Sequence, residues 1–191
     1  PSGKDTSLDG METFGKEVID GTIDFCPAYK PNLAFFERFG SKGYALLERL
    51  VDHINGRAVV IADAKRGDIG NTSQQYAKAI LETMGCDAIT ISPYMGREAI
   101  EPFIENAEKG SFILAVTSNP FAYELQIHGG KERALYKKVI LIANELNVLD
   151  HLPPKLRTPM QYKKDTFLEL IFQEKRIYKY FHIFLGFNLL I

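Results

Sequence analysis

Asp63, Lys65 and Asp68 place two carboxylates and an ammonium within one short stretch, Ile61-Ala62-Asp63-Ala64-Lys65-Arg66-Gly67-Asp68-Ile69-Gly70-Asn71-Thr72. Strand side chains alternate between faces, so Asp63 and Lys65 are expected to point the same way off the end of the apolar run 58–62. Gly67 and Gly70 are expected to let the backbone turn and carry Asp68 back toward that pair. Such a cluster builds a core poorly, but it suits the stabilisation of charge that develops during a reaction. A structural ion-pair cluster at a sheet edge is the competing reading. Two further groups stand at similar places. Lys30 follows an apolar run in Tyr29-Lys30-Pro31-Asn32, and Ser118 follows another in Thr117-Ser118-Asn119-Pro120. Taken alone, Lys30 could be a snorkelling strand-end lysine and Ser118 a turn residue.

The elements that must hold these groups alternate. Helical spacing of Phe14, Val18, Ile19 and Ile23 predicts a helix from Met11 to about Asp24. Residues 25–32 are apolar but carry two prolines, which predicts a short strand with Lys30 near its carboxyl end. Leu46, Leu47, Leu50, Val51 and Ile54 form one face of a helix over 41–54. A strand over 58–65 follows, then a helix from about Thr72 to Met84. Thr72 with Gln75, or Asn71 with Gln74, would supply the capping box of that helix. Beyond Gly85 the pattern predicts a strand over 88–94, a helix over 97–107, a strand over 112–117 and a last helix from about Lys131 to Leu146. Strands apolar on both faces, alternating with amphipathic helices, predict a parallel α/β sheet. Polar residues recur where strands end, which is where a (β/α) barrel carries its chemistry.

The 191 residues allow one domain with a substantial core, or one domain plus an extension. Apolar content of 46% and charged content of 25% are those of a soluble globular protein. A net charge of -1 offers no steering toward nucleic acid or an anionic membrane surface. Cys26 and Cys86 lack metal-ligand spacing and are expected to be buried free thiols. The polar N-terminal dozen has no apolar signal core, and the longest uncharged apolar segment, 180–191, is too short to span a bilayer. The expectation is therefore a cytoplasmic protein. His53, His128, His151 and His182 share no spacing or acidic partner pattern and are expected to be solvated or core residues, with no metal site. The segment 121–126 could be a lid over the strand ends or an ordinary surface loop.

The three motifs Tyr29-Lys30-Pro31-Asn32-Leu33-Ala34-Phe35-Phe36, Asp63-Ala64-Lys65-Arg66-Gly67-Asp68-Ile69-Gly70-Asn71-Thr72 and Thr117-Ser118-Asn119-Pro120 stand in that order at barrel-like intervals. Together they resemble orotidine 5'-phosphate decarboxylases, from about Gly10 to Asn147. The resemblance implies a (β/α)8 TIM barrel and a homodimer. It implies conversion of orotidine monophosphate to uridine monophosphate in de novo pyrimidine biosynthesis, without metal or organic cofactor. By the same resemblance, Lys65 is the proton donor to C6 of the pyrimidine, and Asp63 and Lys30 hold the charges around it. Asp68 completes the array from the partner subunit, with Ile69 and Thr72 lining the site across that interface, and Ser118 bonds the pyrimidine amide. Asn32 lies in a motif without an assigned step. The chemistry is coherent: loss of carbon dioxide leaves a carbanion that only prearranged cations can stabilise.

The sequence departs from the family at both ends. The family's first barrel strand, with a ribose-binding aspartate, has no counterpart in Ser7-Leu8-Asp9, and Asp9 is not given that role. After Asn147 the family's Gly-rich strand, phosphate-binding loop and arginine are not found. Residues 148–166 carry Pro153, Pro154 and Pro159, and the aromatic and basic segment 167–191 has Gly186 as its single glycine. The expectation is a partial barrel over 1–147 with about four recognisable strands, followed by a divergent tail over 148–191, the whole a truncated or frame-shifted product. Two other functions stay open: a metal-dependent sugar-phosphate decarboxylase of the same barrel superfamily, and a non-catalytic barrel fragment that associates through its 68–72 edge.

Overall fold

Among the described residues each strand is followed by a helical segment, and that alternation sets the architecture. A computed structural model describes residues 5–146 of the chain. The tail, with His151 and His182, lies outside the described residues. Ser7 caps the first helix, α1 (Leu8–Thr22), its hydroxyl accepting from the Gly10 amide at 3.1 Å. Strand β1 is only Ala28–Tyr29, cut short by the flanking prolines. A short helix, α2 (Ala34–Glu37), leads into α3 (Ser41–Ile54), which has the predicted bounds and ends at Asn55 in the left-handed conformation. Gly43 is needed where α3 passes α2, since a Cβ there would sit 1.8 Å from the Phe36 carbonyl oxygen.

Strand β2 (Val59–Arg66) is the longest, and its first six residues are all buried. Strands β3 (Ala88–Ile91) and β4 (Gly110–Ile113) complete a four-stranded sheet in the order β1-β2-β3-β4, parallel throughout. Alternation along β2 divides its side chains. Val60, Ala62 and Ala64 join the main core with Leu46, Leu47, Ile80 and Phe103, while Val59 and Ile61 join Ala28 and Ala88 in a smaller cluster on the other face. Phe103, Leu46 and Leu47 are essentially fully buried, and truncating Phe103 to alanine would cost about 3–5 kcal/mol. Among the described residues, strands β1 and β4 each have one neighbour, which leaves two sheet edges as expected of a partial barrel.

Several predicted elements differ from the observed ones. The helix after β2 starts two residues early: α4 (Gly70–Ala77) follows Ile69, which is extended and offers no side-chain cap. Thr72 therefore lies inside the first turn and the capping box does not form; the Gln75 amide instead donates to Asn71 at 3.4 Å. From Lys78–Thr83 the coil widens to a π-helical turn, with Met84 N donating to the Ala79 carbonyl. The burial of Ala77, Ile80, Leu81 and Met84 suits either helix type, so periodicity does not separate them. The predicted helix over 97–107 is a pair of 3-10 turns, Arg97–Ala99 and Glu101–Phe103, because Pro102 has no amide hydrogen to continue a helix. The last predicted helix is split into α5 (Gly130–Arg133) and α6 (Leu135–Glu145) by Ala134, whose ψ of 137° is extended. His53 does have an acidic partner, Asp20 at 2.7 Å, which ties α3 to α1. The same two helices are joined by Glu12 with Arg49.

Candidate functional site

Asp63 lies in the last part of β2, where the backbone stops following a regular ladder. Ala62 pairs with Ile89 and Arg66 with Ile91, so β2 spends more residues than β3 over the same span and bulges. Within the bulge Lys65 adopts φ +48°, a left-handed conformation that costs a non-glycine residue about 1 kcal/mol or more. The Thr90 hydroxyl on β3 faces the bulge: it accepts from the Ala64 and Lys65 amides at 3.0 Å each and donates to Asp63 Oδ1 at 3.1 Å. Just past β2, Gly67 passes so close to the end of β3 that a Cβ would meet the Ser92 carbonyl oxygen at 2.6 Å.

The Asp63 carboxylate is the centre of the cluster. Lys30 Nζ donates to Oδ2 at 3.0 Å and Lys65 Nζ to Oδ1 at 2.5 Å. The Asp63 side chain is 9% exposed against 51% for Lys65, so the carboxylate is sequestered while the lysine side chain stays half exposed. Burial alone would raise the Asp63 carboxyl above its usual range; hydrogen bonds and charge from Lys65 and Lys30 outweigh that and hold it below. Lys30 owes its place to the chain after β1. Asp63 N donates to the Pro31 carbonyl at 2.9 Å and Leu33 N to the Asp63 carbonyl at 3.2 Å, while Asn32 bridges Asp63 as an isolated parallel pair. Behind the cluster Arg66 pairs with Glu37 and donates to the Ala64 carbonyl at 2.9 Å, and Tyr44 donates to the same Glu37 at 2.7 Å.

The predicted residues are thus partly brought together. Lys30, Asp63 and Lys65 form one array, and within one chain the acid stands between the two lysines. Asp68 does not return to the pair; its Oδ1 accepts from the adjacent Ile69 amide at 2.8 Å, and no ion pair joins it to Lys65 among the described residues. Gly70 does turn left-handed, at φ +49°, but there the chain enters α4. Ile69 and Thr72 lie exposed at the start of α4. Ser118 is exposed in the loop after β4, beside Thr117, whose amide and hydroxyl are both held by Gln126 at 2.8 and 2.7 Å. Thr90, Gln126 and the Glu37–Arg66 pair were not singled out from the sequence. A hydroxyl between Ile89 and Ile91 in an otherwise aliphatic strand was the available signal for Thr90.

A family model described as "Orotidine 5'-phosphate decarboxylase / HUMPS family" matches residues 8–153. The chain belongs to this family. It is 44% identical over 152 residues to an orotidine 5'-phosphate decarboxylase of Christiangramia forsetii, covering 72% of this chain and 56% of that protein. It is 49% identical over 118 residues to the one of Roseiflexus castenholzii, covering 62% of this chain and 43% of that protein. The solved OMP decarboxylase of Leishmania donovani superposes with a TM-score of 0.67 at 37% identity, over 71% of this chain and 54% of that one. The chain thus spans about half the length of the curated relatives it matches. The orotidine 5'-phosphate decarboxylase family accounts for the parallel sheet as part of a TIM barrel, with the charged cluster at the carboxyl end of its strands.

Proposed function

We propose that the chain serves the decarboxylation of orotidine monophosphate to uridine monophosphate, with Lys65 as proton donor. The observation that carries this reading is the Asp63 carboxylate pinned between the Lys30 and Lys65 ammonium groups at the carboxyl end of a parallel sheet. The Lys65 ammonium, held by Asp63, stands where electrons must accumulate. The bond between C6 and the substrate carboxylate breaks, carbon dioxide leaves, and the electron pair stays on C6. The Lys65 ammonium then passes a proton to C6, and solvent recharges the amine. Because Asp63 and Lys30 are already in place, little reorganisation opposes that step. Ser118 bonds the pyrimidine amide in this scheme.

Asp68, Ile69 and Thr72 act from a second copy of the chain, in a homodimer. Supporting this, Asp68 makes no ion pair within the described residues, and Ile69 is 50% exposed at the same edge. A cytoplasmic location fits the two free thiols Cys26 and Cys86. No helix among the described residues is long and apolar enough to cross a membrane. The metal-dependent sugar-phosphate decarboxylase is not favoured. The matched relatives carry the orotidine 5'-phosphate name, and both Asp63 oxygens are occupied by ammonium groups.

Purified chain should consume orotidine monophosphate, read as loss of its absorbance, and Lys65→Ala should lower turnover by about a thousandfold or more. Turnover that survives the alanine substitution would remove Lys65 from the chemistry. A wild-type chain without turnover would leave the non-catalytic barrel fragment as the reading.

A further inference from the structure

We propose that Thr90 is a positioning residue for the charge array, its hydroxyl setting the β2 bulge and aiming the Asp63 carboxylate at Lys65. A hydroxyl has one hydrogen to give and two lone pairs to receive with. At Thr90 all three are used: the hydrogen goes to Asp63 Oδ1, and the lone pairs take the Ala64 and Lys65 amides. Thr90 is 8% exposed, so none of these bonds is readily replaced by water.

The location gives the bonds their consequence. Between the Ala62 and Arg66 pairings the ladder is interrupted, and the Ala64 and Lys65 amides find the Thr90 side chain where backbone carbonyls would ordinarily serve. Lys65 can hold its left-handed backbone only while something fixes that loop of strand. The same hydroxyl bonds the Asp63 oxygen that receives the Lys65 amine, so backbone and side chain of the lysine are referred to one atom. Threonine suits the task because β-branching restricts its χ1. Its β3 neighbours Ile89 and Ile91 have no group that could substitute.

The test compares the 191-residue chain with Thr90→Val, which keeps the shape and removes the hydroxyl, and Thr90→Ser, which keeps the hydroxyl. Hydrogen exchange of the Ala64 and Lys65 amides should quicken at least about tenfold in the valine variant, relative to the Ile61 and Ile89 amides as internal reference. The Asp63 carboxyl, followed by carbon NMR, should titrate about half a pH unit higher in the valine variant. Serine should restore both. A third arm rests on the decarboxylase reading: the valine variant should lose about thirtyfold in kcat with KM within about twofold. Unchanged exchange and titration in Thr90→Val, or failure of serine to restore them, overturns the proposal. Should the valine variant not fold, Thr90→Ala against Thr90→Ser makes the same comparison. If the wild-type chain shows no turnover, the decarboxylase reading falls, while exchange and titration still decide the role of Thr90.

Discussion

The carboxyl end of β2 and the loop after β4 both bring predicted site residues to the same side of the sheet, yet they are built in opposite ways. At β2, Asp63 is buried, and side-chain bonds from Lys30, Lys65 and Thr90 converge on it. The loop exposes Ser118 and, beyond it, Phe121, Tyr123, Leu125 and Ile127. Thr117 is held by two side chains of the same loop, Gln126 and Asn119. Stabilising a developing charge needs dipoles and ions that do not reorganise, which a strand flanked by strands supplies. A group that bonds a ligand's amide must let the ligand enter, which an exposed loop allows.

Asp63→Asn is the most damaging way to probe that contrast. It keeps the shape and leaves two lysines without their counter-charge, so turnover should fall on the order of a thousandfold, and stability by about 2 kcal/mol, measured by absorbance and by urea unfolding. Gln126→Ala should act more mildly. With the Thr117 amide released, KM should rise about fivefold while kcat stays within about twofold. A Gln126→Ala chain as crippled in kcat as Asp63→Asn would mean that the loop belongs to the rigid array and that the contrast is wrong.

The smallest expected effect is the response to acid. The folded Asp63 carboxyl lies below its unfolded range, so the unfolded chain binds more protons over that interval and stability falls as pH drops through it. Glu12, held at about 2 by Arg49 and Lys16, behaves the same way on the α1–α3 side. Asp63→Asn and Glu12→Gln should each flatten the decline in urea midpoint between about pH 5 and pH 2, whereas Gln126→Ala should leave it unchanged. An acid limb altered by the loop substitution would again erase the difference between the two regions.

Local pattern carried much of this fold. Helix α3 was legible to its ends because five apolar residues at helical spacing lie between Gly40 and Asn55, and β2 was legible because its apolar run meets charge at one side. The departures came where neighbours outvoted pattern. Pro102 splits a helix, Ala134 turns extended between α5 and α6, and Ile69 displaces the expected cap.

The types and spacing of Lys30, Asp63 and Lys65 settled, without coordinates, that charge would gather at strand ends, because side-chain alternation is a property of the strand itself. Which charge stands in the middle was a tertiary decision. It required β1 to lie beside β2 so that Lys30 reaches Asp63, and Thr90 of β3 to meet the bulge that turns Lys65 back to the same carboxylate. Those contacts join residues 33 and 27 positions apart, and no local regularity encodes a meeting that only the packing of three strands brings about.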